Sequence, residues 1–253
     1  MKTSPATLCG QMRGAVVVAK KNARLYYLKP PVLIFGVLFP IFFFLAFKLG
    51  RPVSATQVAP GIVAMALWFT ASAVGPLVTP WERRAGTWER LISSPIAATS
   101  IAAGDVLSGL VFGIAFTLLS IALCVAFTGA AVVRPFVLAV GVLLGATCFS
   151  TLGVLMAAPP VDNPSHIMML SNLVRLPMLF ISGVFVPIAA MPAWARVLSP
   201  LSPLSYATDL LRVGFGQTAT FPVGLDCAAL ALLACVMFLS ACRFHRRWRA
   251  KGM

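Results

Sequence analysis

Charge is scarce in this chain of 253 residues: 10% are Asp, Glu, Lys or Arg, where a soluble domain carries about a quarter. Hydrophobic residues make up 60% and mean hydropathy is +0.95. A water-soluble fold of this size would have to hide more apolar surface than its core can hold. Acidic groups are scarcest, with 6 Asp+Glu, and there are 2 histidines, His166 and His245. Neither histidine has a metal-like or catalytic neighbour pattern, and both read as polar residues at membrane edges. An intramembrane protease needs a Ser–His pair or two facing aspartates. Ser182 has no histidine at matching depth, and Asp105 and Asp226 fall near opposite faces of the expected membrane. The 6 cysteines form no CxxC pair and lie mostly inside apolar runs, which marks them as small buried hydrophobes rather than disulfides or metal ligands. No GxxxxGK[ST] phosphate loop occurs, and no polar stretch is long enough for a separate soluble domain. Residues 1–29 are basic without a long apolar core, unlike a signal peptide.

What is present is a series of apolar runs. About 20 such residues cross the hydrocarbon core, and six segments qualify: about 31–49, 58–78, 101–127, 135–158, 167–186 and 223–241. The chain is therefore expected to be an all-α polytopic membrane protein of six transmembrane helices. Its basic residues test the orientation. With the N-terminus inside, 14 of the 20 Lys+Arg fall on the cytoplasmic side and 5 outside, Arg175 lying within the fifth span. That bias places both termini in the cytoplasm. The formal charge of +14 thus belongs to membrane topology and not to nucleic acid, which is not expected as a partner.

Three non-spanning pieces carry more information. In residues 1–29, Leu8, Met12, Ala15, Val16, Ala19, Ala23, Tyr26 and Tyr27 recur at spacings of three and four, while Arg13, Lys20, Lys21 and Arg24 fall mostly elsewhere on the wheel. This is an amphipathic helix lying along the inner leaflet. The remainder, 30–253, is the membrane domain. Its loop 80–100 contains WERRAGTWERLISSP, in which Trp81, Ala85, Trp88 and Ile92 would form one stripe if the helix were continuous. Gly86 weakens the middle, and Thr87 is placed to cap a short new helix that Pro95 stops. Such a loop serves as a docking element for a cytoplasmic protein or as a tryptophan-anchored interfacial loop. The third piece, 187–222, is too apolar for a free loop and too broken to span. Prolines punctuate two short helices, 193–198 and 204–214, with Ser202 as cap, Pro203 at the first position, and Asp209 and Arg212 spaced to pair. It reads as an outer re-entrant helical hairpin between spans five and six. Residues 243–253 form a basic tail.

Arg175, near the middle of the fifth span, is the least expected residue. A buried cation costs about 3 kcal/mol or more and faces a partner or a water-filled cavity. With Asn172 on the same face it is a candidate lining residue of a translocation path; a structural pair with Asp105, Asp226 or free backbone carbonyls is the other reading.

Together the pieces resemble the permease subunits of type-2 ABC transporters. Three motifs carry the likeness. The first is Glu82-Arg83-Arg84-Ala85-Gly86-Thr87-Trp88-Glu89-Arg90-Leu91 followed by Ser94-Pro95-Ile96. The second is Phe180-Ile181-Ser182-Gly183-Val184-Phe185-Val186-Pro187. The third is Leu201-Ser202-Pro203-Leu204-Ser205-Tyr206 with Asp209 and Arg212. The Gly-Thr-Trp-Glu-Arg-Leu form looks closest to the drug-exporter branch, similar to daunorubicin-resistance permeases; Asp105 departs from the pattern, which has a basic or neutral residue there. The resemblance implies a dimer of permease subunits, with two copies of an ATPase subunit on the cytoplasmic side binding ATP and Mg. It also implies export of a hydrophobic or amphipathic substrate across the cell inner membrane. This chain, without a phosphate loop, would be the transport subunit and not an enzyme, with no catalytic residue, cofactor or metal of its own. Glu82, Arg83, Arg84, Gly86, Thr87, Trp88, Glu89 and Arg90 would form the ATPase-coupling set, with Glu82 or Glu89 pairing to Arg residues of the amphipathic start, locking the two elements together, as the other reading, and Pro203, Tyr206, Asp209 and Arg212 would organise the outer hairpin. A secondary transporter or a non-transporting membrane assembly factor is the alternative.

Overall fold

The computed structural model describes residues 8–26, 55–87, 97–159 and 163–250, with isolated positions between 34 and 45. Most of the expected first span, and Trp88, Glu89 and Arg90, lie outside the described residues. All regular structure described is helical: α1 (Leu8–Tyr26), α2 (Ala55–Ala71), α3 (Val74–Arg84), α4 (Ala98–Thr128), α5 (Pro135–Met156), α6 (Pro164–Ile181), α7 (Ala193–Leu198), α8 (Pro203–Gly214) and α9 (Val223–Ala250), with short 3-10 turns at Ile188–Ala190 and Ser199–Leu201.

Four stretches among the described residues are long and apolar enough to cross a membrane: Thr56–Arg84, Thr99–Thr128, Pro135–Met156 and Val223–Phe244. They match the expected second, third, fourth and sixth spans, so the protein is an all-α, multi-pass membrane protein. The expected fifth span is an 18-residue helix, about 27 Å long. Ser165, His166, Asn172 and Arg175 lower its apolar character, and it is not one of the four.

Burial separates inner from outer helices. The most apolar stretch of the α2–α3 rod is 94% buried, that of α5 67%, and those of α4 and α9 only 22% and 28%. The rod is therefore the centre of the domain, packed on α4, α5 and α8, while α4 and α9 turn apolar faces outward. Its core joins Leu67, Trp68, Phe149, Leu210, Leu211 and Leu230. Trp68 and Phe149 meet edge to face at 4.7 Å between ring centroids.

The boundaries follow from local chemistry. Gly129 (φ 66°) ends α4 in the left-handed conformation that a β-carbon disfavours. Pro135, Pro164 and Pro203 open α5, α6 and α8 at positions where no N–H is needed. The Asn163 side chain accepts from the Ser165 N–H at 3.0 Å to cap α6. The expected tail is a continuation of α9, which runs as one helix to Ala250.

Helix α1 forms where its periodicity placed it, but packs on a different face. Gly14, Val18 and Asn22, four residues apart, are buried against α4, while Met12, Val16 and Val17 are exposed. The approach is close: a β-carbon at Gly104 would sit 2.7 Å from the Ala15 carbonyl oxygen and 2.6 Å from Val18 Cβ. Thus α1 packs on the membrane domain by a narrow small-residue ridge and leaves its larger apolar stripe facing away from the protein.

Candidate functional site

The end of the rod nearest Arg84 is built by α3. It continues to Arg84, so Trp81, Glu82, Arg83 and Arg84 are helical rather than part of a free loop. The helix stops because Gly86 adopts φ 66°, with its N–H on the Arg83 carbonyl at 3.1 Å. The Thr87 hydroxyl donates back to the Glu82 carbonyl at 3.2 Å. Thr87 thus closes the C-terminal end of α3, where the sequence suggested an N-cap for the next helix. The helical path that a stripe Trp81–Ala85–Trp88–Ile92 would follow breaks between Ala85 and Thr87, and Trp88 and Ile92 lie outside the described residues.

Two members of the expected coupling set are braced against the domain. The Glu82 carboxylate, 3% exposed, pairs with the Lys21 ammonium of α1. Arg83 donates to the Pro159 carbonyl at 2.6 Å, beyond the end of α5. Arg84, Gly86 and Thr87 are exposed, as is Trp81 at the rim. Glu82 therefore faces the amphipathic helix, while Trp81, Arg84, Gly86 and Thr87 are the exposed side of this segment.

At the next residue of α1, the fully buried Asn22 amide donates to Asp105 at 2.7 Å and to the Ser108 hydroxyl at 3.3 Å. This accounts for the acidic residue that departs from the family pattern: Asp105 is the buried acceptor that fixes α1 on α4. One sequence signal points to it, a polar Asn22 at i+4 from Val18 on the ridge.

Arg175 is 6% exposed, and its guanidinium donates to the Ser72 carbonyl, at the break between α2 and α3. It makes no ion pair with Asp105 or Asp226 among the described residues. Asn172, one turn earlier, is half-buried. Ser72 went unnoticed in the sequence, although Pro76 four residues later removes the N–H that the Ser72 carbonyl would accept in a continuous helix.

In 187–222 both expected short helices form, and 11 of the 12 residues of α8 are buried. Pro203 opens α8. Ser202 stands at the cap position, but its hydroxyl donates to the Met178 carbonyl of α6 at 3.2 Å. Tyr206 donates to the Pro200 carbonyl at 2.8 Å. Asp209 and Arg212 do not bond to each other. Asp209 accepts from the Thr220 N–H at 2.8 and 2.9 Å and from the Phe221 N–H at 2.8 Å, shaping the entry to α9. Arg212 donates to the Gly183 carbonyl just past α6. Burial pulls the Arg212 guanidinium below its usual range and the Asp209 charge raises it again, so the two interact through space. The fully buried Asp226 carboxyl lies beside that of Asp209.

No group of three or more His, Cys, Asp and Glu suited to a metal ion occurs among the described residues. No curated protein matches the chain. The family model of the ABC-2 type transporter matches residues 14–216, a stretch from α1 through the outer hairpin to the end of α8. The helical membrane domain described above therefore belongs to the ABC-2 type transporter family, as a permease-type membrane subunit.

Proposed function

We propose that this chain is the permease subunit of an ATP-driven exporter that moves a hydrophobic or amphipathic substrate, a drug or lipid, out of the cytoplasm or inner leaflet. The drug-exporter branch is the favoured one on the Gly-Thr-Trp-Glu-Arg-Leu motif. Two permease copies form the pathway, and two copies of an ABC ATPase subunit, carrying ATP and Mg, dock on the cytoplasmic side. Both termini lie in the cytoplasm, and the protein resides in the cell inner membrane.

The single observation that carries this reading is the bracing of the cytoplasmic end of α3. Displacement requires stiff attachments. Glu82 ties this end to α1 and Arg83 ties it to the end of α5. A push at 84–100 would therefore be delivered to three elements at once instead of dissipating in a loop. The exposed Trp81 and Arg84, with Gly86, Thr87, Trp88, Glu89 and Arg90, form the partner-facing part: aromatic anchors with charges that set register. Glu82 and Arg83 belong to the coupling set as the braces behind it. Within the membrane, Asn172 on α6 is the side chain proposed to meet cargo, and Arg175 shapes the same face. The 187–222 hairpin closes the outer end as a re-entrant element.

The test is a nanodisc pull-down of the chain from its native membrane with identification of bound proteins. A near-stoichiometric ATPase subunit, lost when Trp88 and Glu89 are replaced, supports the reading. Glu89→Lys should abolish transport-coupled ATP hydrolysis while the protein stays folded in the membrane. Absence of any ATPase under mild conditions would move the assignment to a secondary transporter or an assembly factor.

A further inference from the structure

The rod breaks at one place. Helix α2 ends at Ala71, Ser72 and Ala73 form a turn, and α3 begins at Val74. In an unbroken helix the Ser72 carbonyl would accept from the N–H of residue 76, and Pro76 has none. The Ser72 hydroxyl is already committed to the Trp68 carbonyl. Ser72 is fully buried, so the membrane domain itself must supply the donor.

Arg175 supplies it. Its helix, α6, lies against α3, with Met168 packed on Val74, Leu77 and Val78. Its charge is answered by a carbonyl dipole: among the described residues it makes no ion pair, Glu82, Asp105 and Asp209 being held by Lys21, Asn22 and the 220–221 backbone and Asp226 lying beyond ion-pair distance. The backbone of α5 wedges the break from the other side. A β-carbon at Gly153 would lie 2.5 Å from the Ser72 carbonyl oxygen, and one at Gly75 would lie 2.1 Å from the Gly153 oxygen. The released carbonyl is thus confined between the Gly153 backbone and one guanidinium.

We infer that Arg175 is a positioning residue: it replaces the donor that Pro76 removes and, by holding the Ser72 carbonyl, fixes the direction in which α3 leaves α2. It rests on the exporter reading only in that α3 carries the segment proposed to receive the ATPase. On this assignment α6 and the break move together, so a displacement of α3 must either carry α6 with it or release Arg175.

The experiment places spin labels at Gln57 and Arg84, exposed positions on opposite sides of the break, in a background without native cysteines, and measures their distance distribution in nanodiscs. Arg175→Met is expected to broaden the distribution, and Arg175→Lys, which keeps one donor, to retain it. Pro76→Ala restores the missing N–H and should give a narrower, longer distance. Adding Arg175→Met to Pro76→Ala should then change nothing further. If Arg175→Met alone fails to insert, the double variant is expected to recover insertion. A wild-type distribution in Arg175→Met, whatever its thermal stability, overturns the assignment, as does an undiminished effect in the Pro76→Ala background or failure of the double variant to insert. Neither nucleotide nor cargo enters these readouts, so they succeed or fail independently of the exporter reading.

Discussion

The closest backbone approach identified between membrane helices gives a sharp quantitative test. A β-carbon on Gly75 would lie 2.1 Å from the Gly153 oxygen, 2.3 Å from its carbonyl carbon and 2.7 Å from the Val154 nitrogen. Ordinary contact begins near 3.4 Å, so α3 and α5 would have to separate by about 1.3 Å. All three obstructing atoms are backbone, and no rotamer change relieves them. A gap of 0.5–1 Å already forfeits a quarter to a half of each dispersion well along a crossing. Strain from inserting extra methylenes into a packed core adds about 1–3 kcal/mol. Gly75→Ala should therefore cost about 3 kcal/mol and lower the thermal midpoint of the detergent-purified protein by roughly 6–12 °C. The matched control is Gly224→Ala in the first turn of α9, where nothing lies within 4 Å; it should be neutral or slightly stabilising. The assay is thermal-shift size-exclusion chromatography of both variants beside wild type. A Gly75→Ala midpoint within about a degree of wild type, with Gly224→Ala behaving as expected, would refute the contact and with it the placement of α3 on α5.

Lys21→Ala should destabilise the docked α1 by about 1–2 kcal/mol, less than a fully buried broken pair because the Lys21 side chain remains 30% exposed; trypsin cleavage at α1 would accelerate, and the exchange Lys21→Glu with Glu82→Lys would restore resistance. Asn22→Ala strands the Asp105 carboxylate and should cost about 3 kcal/mol, whereas Asp105→Asn keeps the acceptor and should be tolerated; membrane yield and thermal midpoint separate the two. Asp209→Ala removes the acceptor of the Thr220 and Phe221 N–H groups and should raise hydrogen exchange at those two amides at least tenfold while leaving exchange in α2 unchanged.

How much of this was readable beforehand depended on the period of each signal. Apolar runs announce spans by length alone, and α4, α5 and α9 begin within a few residues of expectation. The outer helices were legible because proline and serine mark their starts. The ridge by which α1 docks on α4 was not legible, for a physical reason. Apolar residues dominate a periodicity argument, and of the buried ridge Gly14, Val18 and Asn22 only Val18 is one, so the ridge carries little weight on a helical wheel. The same reasoning lost the Asp209–Arg212 pair. Spacing of three makes a pair available within one helix, but buried backbone N–H and carbonyl groups from neighbouring segments compete for each side chain and win. The lock between Glu82 and the basic residues of α1 was legible as one of two readings, with Lys21 rather than an arginine as the partner; the Thr87 bond was not, because a threonine after a glycine reads equally as the end of one helix or the start of the next.

A physical regularity underlies these long-range bonds. Proline inside a helix or at its first turn removes a donor four residues ahead of a carbonyl, and in lipid no water replaces it. Pro60 releases the Thr56 carbonyl, which receives the Gln217 amide at 3.2 Å, the same amide reaching Gln57 at 3.3 Å. Pro76 releases the Ser72 carbonyl, which receives Arg175. The unravelled end of α6 offers Met178 and Gly183 carbonyls, which receive Ser202 and Arg212. In each case the donor comes from a different element, so the local defect becomes a tertiary junction. The α2–α3 rod is joined in this way at its α2 end to the 217 turn and midway to α6, and at its α3 end Lys21 and Arg83 add attachments to α1 and to the segment after α5. A cation inside such a domain is then first a substitute for a missing backbone donor. Arg175→Ala and Arg212→Ala should consequently both loosen the domain, and only a cargo-dependent change that survives repair of the backbone by Pro76→Ala would assign Arg175 to the transport path itself.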